Sequence, residues 1–182
     1  MNYHNITKTD MKNGDGLRVV LWVAGCNHRC KECQNPETWD ECGGIPFDEN
    51  AKQEIFEELK KDYVSGITFS GGDPLFPTNR KVVADLMEEI NQKFPNKTIW
   101  CYTGYTFEQV RELPMLKYID VLVDGPFIPE LKALKLKWKG SNNQRVICCK
   151  KSLQEQKIII KPDCKDIESE CCKNYWECKS CN

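Results

Sequence analysis

The chain has 182 residues, with 26 Lys plus Arg against 27 Asp plus Glu, a net charge of −1 and twelve cysteines. That length suits one domain with a real core and a small appendage, and the balanced charge without a basic run excludes the electrostatic footprint of a nucleic-acid binder. The longest apolar run, VVLWVAG, is too short to cross a bilayer, and the polar start MNYHNITKTDMKNGDG has no secretory stretch, so a cytoplasmic protein with no membrane partner is expected.

LRVVLWVAG (17–25) is apolar, β-branched and closed by glycine, which predicts a buried strand, and a cysteine loop follows it. NAKQEIFEELKKDY (50–63) places Ile55, Phe56 and Leu59 at helical spacing. GITFSGG (66–72) predicts a strand running into a glycine turn. TNRKVVADLMEEINQKF (78–94) predicts a helix capped by Thr78 or Asn79, with Val82, Val83, Leu86 and Ile90 on one face. KTIWCYTG (97–104) is a third strand, TFEQVREL (106–113) a short helix closed by Pro114, and YIDVLVDG (118–125) a fourth strand. QRVICC and EQKIII predict a later strand pair.

Strands alternating with helices predict an α/β fold with a largely parallel sheet, whose chemistry gathers at the strands' carboxyl ends. CNHRCKEC, SGGDP, YTGY and DGPF follow the four strands in turn and are expected to face one mouth. A complete eight-unit barrel needs about 250 residues, so an incomplete β/α barrel or curved open sheet is expected. Residues 1–161 form the expected core domain and residues 162–182 a cysteine-rich extension.

In a reducing compartment, clustered cysteines point to metal or cluster ligation rather than to disulfides. Cys26, Cys30 and Cys33 have the spacing C-x3-C-x2-C. A zinc site completed by His28 or Cys42 is one reading, although zinc ligands usually come in pairs from two segments. The other is a cubane of four irons held at three corners, its fourth iron open to a small molecule. His28 more simply shapes the loop by a hydrogen bond, Asn35 and Trp39 pack and orient it, and Cys101 reads as a buried apolar residue within a strand. In the tail, Cys164, Cys171, Cys172, Cys178 and Cys181 lie among few apolar residues, and CKSC has a chelating gap, so a second metal site is expected there. Zinc in a structural role or a second iron–sulfur cluster would fill it.

The cysteine loop, with SGGDP one βα unit later, resembles the radical S-adenosylmethionine superfamily, whose Gly-Gly-Glu-Pro element has Asp for Glu here. GCNHRCKECQNPETWD, WCYTGYTFE and DVLVDGPFIPELKALKLKWKGSNNQRVI are similar to the activating proteins of anaerobic ribonucleotide reductases, over roughly Asn5 to Ile147. The resemblance implies a partial TIM-like barrel of the radical S-adenosylmethionine type. It implies a [4Fe–4S] cluster on Cys26, Cys30 and Cys33, and S-adenosylmethionine as cofactor. Reductive cleavage would yield a 5′-deoxyadenosyl radical that takes a hydrogen from a glycine of the anaerobic ribonucleoside-triphosphate reductase, with flavodoxin or ferredoxin as electron donor. By the same resemblance the backbone around Glu32, Cys33 and Gln34 meets the adenine, or the contact comes from elsewhere, since Glu32 stands where many superfamily members have an aromatic. Gly71, Gly72 and Asp73 meet the methionine ammonium. Thr103, Tyr105 and Asp124 approach the ribose or carboxylate or else serve turns, and Arg145 pairs a carboxylate bidentately.

An activator of another glycyl-radical enzyme, of the pyruvate formate-lyase type, is the alternative, and DGPF and GSNNQR argue against it. A non-enzymatic iron–sulfur carrier or zinc module leaves SGGDP without a purpose. The tail has no counterpart in the family pattern.

Overall fold

In a computed structural model, which describes residues 1–133 and 135–161, the chain forms an open mixed sheet. The strands are β1 (Asn2–Asp10), β2 (Leu17–Val23), β3 (Ile45–Pro46), β4 (Val64–Gly71), β5 (Thr98–Tyr102), β6 (Val121–Asp124) and β7 (Arg145–Cys148). The helices are α1 (Glu49–Leu59), α2 (Arg80–Lys93), α3 (Phe107–Val110) and α4 (Cys149–Gln154). The seven strands lie in the order β3-β1-β2-β4-β5-β6-β7. β2, β4, β5 and β6 run parallel, while β1, β3 and β7 pair antiparallel at the margins. The α/β expectation holds, and the sheet does not close.

Alternation along each parallel strand sorts side chains to two faces. Val19, Leu21, Val23, Ile67, Phe69, Ile99, Cys101 and Leu122 pack with Ile55, Phe56 and Leu59 of α1 and Val83, Leu86, Met87 and Ile90 of α2 in one core. Asp48 caps α1 by accepting from the Ala51 N–H at 2.9 Å. Among the described residues, no helix is long and apolar enough to cross a membrane.

The opposite face carries Trp100, Val121, Val123 and Val146, with Tyr102 and Trp138 against them. Beneath Trp100 lies Arg18, fully buried, its guanidinium 5.3 Å from the ring centroid. Arg18 donates to the Ile67, Thr98 and Asp15 carbonyls at 2.7–3.0 Å, and to the Thr68 and Thr98 hydroxyls at 2.8 and 3.0 Å. Lys161 joins this face through Asp15 at 2.8 Å and lies 5.0 Å from the Trp138 ring.

Three differences from the sequence expectation have physical causes. The polar start forms β1, because pairing with β2 satisfies its backbone while only Tyr3 and Ile6 reach the core. The expected strand pair near the end is one strand, the helix α4, and a return at 158–160 that makes a single bridge, Ile147 to Ile160. Asn79 does take the expected N-cap position of α2, and the difference is that its side chain makes no capping bond and is used elsewhere.

Replacing Arg18 by Met strands several buried acceptors, each costing about 1–3 kcal/mol when left unmet. Arg18→Met should therefore lower the unfolding free energy by roughly 3 kcal/mol or more. Urea denaturation checks this, and an unchanged midpoint would show that the buried guanidinium is dispensable.

Candidate functional site

The carboxyl ends of β2, β4, β5 and β6 lie at one edge of the sheet, as parallel pairing requires. The cysteine loop leaves β2 there. Gly25, at φ +99°, turns the chain out of the strand. The loop then folds back on itself, Gly25 and Cys26 donating to the Thr38 and Trp39 carbonyls at 2.8 and 3.0 Å. Thr38 is buried and holds the Asn35 carbonyl with its hydroxyl at 2.7 Å, while Arg29 lies 5.7 Å from the Trp39 ring. Asn35 and Trp39 thus tie the loop through their main-chain carbonyls, and the Trp39 ring packs against Arg29. Arg29 and Glu32 adopt positive φ, +47° and +55°. Non-glycine residues there are strained by about 1–3 kcal/mol each, and such strain persists only where the surroundings enforce it.

Cys26, Cys30 and Cys33 all stand on this loop as free, part-exposed thiols. Burial pushes the Cys26 thiol up to about 11, against backbone hydrogen bonds from His28 and Arg29 that stabilise its thiolate. The Asn35 N–H lies 3.4 Å from the Cys33 sulfur. Amide donors on two of the three thiols suit an iron–sulfur cluster, whose properties depend on hydrogen bonds to its sulfurs. Neither proposed zinc partner completes the set: His28 is turned to Asp73, and Cys42 lies exposed on a separate turn. Among the described residues, no group of three or more His, Cys, Asp or Glu side chains is arranged to hold a single metal ion.

The SGGDP turn lies directly against the loop. Gly72 and Asp73 donate their N–H groups to the Val23 and Gly25 carbonyls, both at 2.8 Å. A Cβ on Gly72 would come within 2.5 Å of the Gly25 oxygen and 2.8 Å of the Thr38 oxygen. Gly71, at φ +101°, passes equally close to the Val23 backbone.

Asp73 is 1 % exposed, and its carboxylate is held inside the protein. It accepts from the Leu75 N–H at 2.8 Å, the Thr103 hydroxyl at 2.9 Å and the Gly104 N–H at 3.0 Å, and His28 Nε2 lies 2.9 Å from Oδ2. A carboxylate accepts, which places a hydrogen on Nε2. The His28 ring also packs edge-on to Tyr105 at 4.5 Å and fills the space beside Gly104, where a Cβ would meet it at 2.4 Å.

The structure therefore brings Cys26, Cys30, Cys33, Gly71, Gly72 and Asp73 together, with Glu32 and Gln34 exposed on the same loop. Thr103 joins them through Asp73. Asp124 does not: it is fully buried at the end of β6 and accepts from the Phe107 N–H at 2.7 Å and from Arg145 Nε at 3.0 Å. The carboxylates that Arg145 pairs are those of Asp124 and Glu108, and Arg145 holds the Glu108 carboxyl down at about 2. The residue sequence reasoning undervalued is Asn79, buried and donating to the Ala24 and Asp73 carbonyls at 2.8 and 3.0 Å. Its capping-type position before α2 was the available signal. The five tail cysteines, Cys164, Cys171, Cys172, Cys178 and Cys181, lie outside the described residues.

A family model described as a 4Fe-4S single cluster domain matches residues 12–147. The chain is 46 % identical over 146 residues to the anaerobic ribonucleoside-triphosphate reductase-activating protein of Enterobacteria phage T4, covering 80 % of this chain and 93 % of that protein. It is 39 % identical over 150 residues to the proteins of the same name from Pasteurella multocida, covering 79 % and 95 % of the two chains, and from Escherichia coli K12, covering 80 % and 97 %.

Because the atoms crowding Gly72 are backbone, they cannot step aside. Gly72→Ala should destabilise the chain by about 1–3 kcal/mol and lower the iron bound per chain after anaerobic reconstitution. Unfolding midpoints and iron analysis on one preparation check both effects.

Proposed function

Since the chain belongs to the family of anaerobic ribonucleoside-triphosphate reductase-activating proteins, we propose that it installs the glycyl radical of such a reductase. The observation that supports this best is the union of three free thiols, on a strained and internally tied loop, with a glycine turn at the carboxyl edge of parallel strands. Cys26, Cys30 and Cys33 would hold a [4Fe–4S] cluster, which would supply the electron for cleaving S-adenosylmethionine to methionine and a 5′-deoxyadenosyl radical able to take a hydrogen atom from a reductase glycine.

The chain's own residues hold and align the reactants. The Cys26, Cys30 and Cys33 thiolates are the ligands, with the His28, Arg29 and Asn35 amides directed at two of the sulfurs. Gly71 and Gly72 let the turn approach the loop without side chains between, and Glu32 and Gln34 offer backbone on the loop's outer side. Holding the cofactor and the glycine in fixed relation matters because proximity and alignment supply much of such a barrier.

In this reading residues 1–161 are a partial TIM-like barrel of the radical S-adenosylmethionine type and residues 162–182 an extension. The enzyme is cytoplasmic and draws electrons from a flavodoxin or ferredoxin. An open sheet suits a polypeptide loop as substrate.

Anaerobic protein reduced with dithionite should convert S-adenosylmethionine to methionine and 5′-deoxyadenosine, and Cys30→Ala should lose both the cluster and the conversion. An electron carrier or zinc module would yield no 5′-deoxyadenosine, and a Cys30→Ala chain with full activity would refute the ligand assignment. We propose further that the tail cysteines bind a second metal, zinc in a structural role before iron–sulfur. Chain ending at Lys161 should then contain less zinc or iron than the full chain, and equal metal content in both would end that proposal.

A further inference from the structure

We propose that His28 and Asp73 form a latch that sets the cysteine loop against the other strand-end turns, and that Asp73 is a positioning residue rather than a contact of the cofactor. This rests on the reading that the loop holds a cluster and the neighbouring turn receives S-adenosylmethionine.

Three observations support the latch. First, the Asp73 carboxylate accepts from four protein groups, which come from three places: the cysteine loop, the turn after β5, and Asp73's own turn. A carboxylate at 1 % exposure that already accepts from four groups has little capacity left for a ligand's ammonium. Second, His28 is the loop's side-chain link to that carboxylate, and it sits between Cys26 and Cys30 in sequence. The bond therefore ties the stretch between the first two thiols to the turn after β4. Third, the place for the ring is built. Gly104 leaves the space it fills, with a Cβ excluded by ring atoms at 2.4–2.7 Å, and Tyr105 closes its edge. Side chains that orient ligands in this way commonly change metal affinity or activity by about 10–100-fold when removed.

The latch and a direct carboxylate–ammonium contact differ in their response to substitution. His28→Leu keeps apolar bulk and loses the hydrogen bond, whereas His28→Gln keeps an N–H that reaches Asp73. In reconstituted protein, S-adenosylmethionine is titrated against the electron paramagnetic resonance signal of the dithionite-reduced cluster. The latch requires His28→Leu to weaken binding about tenfold, His28→Gln to recover most of it, and Asp73→Asn combined with His28→Leu to lose no more than the worse single variant. A direct contact requires Asp73→Asn to weaken binding while His28→Leu does not, and independent roles require the two losses to multiply. Either result overturns the proposal.

Amide exchange over residues 26–35 is measured on the same preparations. It should speed up in His28→Leu and stay at the parent rate in His28→Gln. If the unmodified protein gives no response to S-adenosylmethionine, the proposed function fails and the exchange result alone decides the latch: equal rates in the two variants refute it. If His28→Leu takes up no iron while His28→Gln takes up the parent amount, the hydrogen bond is again what holds the loop, and the latch stands.

Discussion

A carboxylate removed from water is tolerated only when donors meet its oxygens, and Asp73 lies almost wholly out of solvent. Its requirement for donors couples segments far apart in the chain. The turn after β4 supplies the acid and one N–H, the turn after β5 a hydroxyl and an N–H, and the cysteine loop a ring nitrogen. Each hydrogen bond to a charged group is worth roughly 1.5–3 kcal/mol, so loosening one turn penalises the others. The coupling extends to β6 through Thr103 N–H to the Val123 carbonyl and Gly125 N–H to the Tyr105 carbonyl, both at 2.9 Å. Four strand ends therefore share one set of bonds, and the cysteine loop is one of its members.

The same coupling explains how a loop with two non-glycine residues at positive φ keeps one shape. Arg29 and Glu32 alone would relax, since left-handed backbone is unfavourable for both. They are bracketed by the His28–Asp73 bond on one side and the Cys33-to-Cys30 backbone turn on the other, with the loop's far end fastened to Gly25 and Cys26. Gly72 completes the arrangement by having no side chain at the point where the loop and the turn touch.

Local pattern carried much of this architecture in the sequence. The apolar runs ending at Gly25, Gly72, Gly104 and Gly125 marked the four parallel strands, and their spacing placed the cysteine loop and the SGGDP turn at one edge. What stayed hidden depends on partners distant in sequence. β1 carries no apolar alternation because neighbouring backbone, not burial, stabilises it. Arg18 looks out of place in an apolar strand until the Thr98 carbonyl, eighty residues on, is seen to receive it. The donors that meet Asp73 stayed hidden likewise, because the four groups are scattered from His28 to Gly104.

The two ends of the parallel strands are built for opposite purposes. At their amino ends, the face that carries none of the helices among the described residues is plugged by Arg18, Trp100, Trp138 and Lys161, a polar and aromatic stack closed by carbonyls, hydroxyls and Asp15. That plug supplies a second layer there, while the described helices α1 and α2 supply it on the other face. The sheet margins end in antiparallel strands, one of them only two residues long and closed by Pro46, so further strands are discouraged and the sheet remains open. Stability is thereby concentrated at one end and along the helix-covered face. The carboxyl end is left to carry glycine turns, strained backbone and free thiols, features that would weaken a core but that a reactive site at an open edge requires.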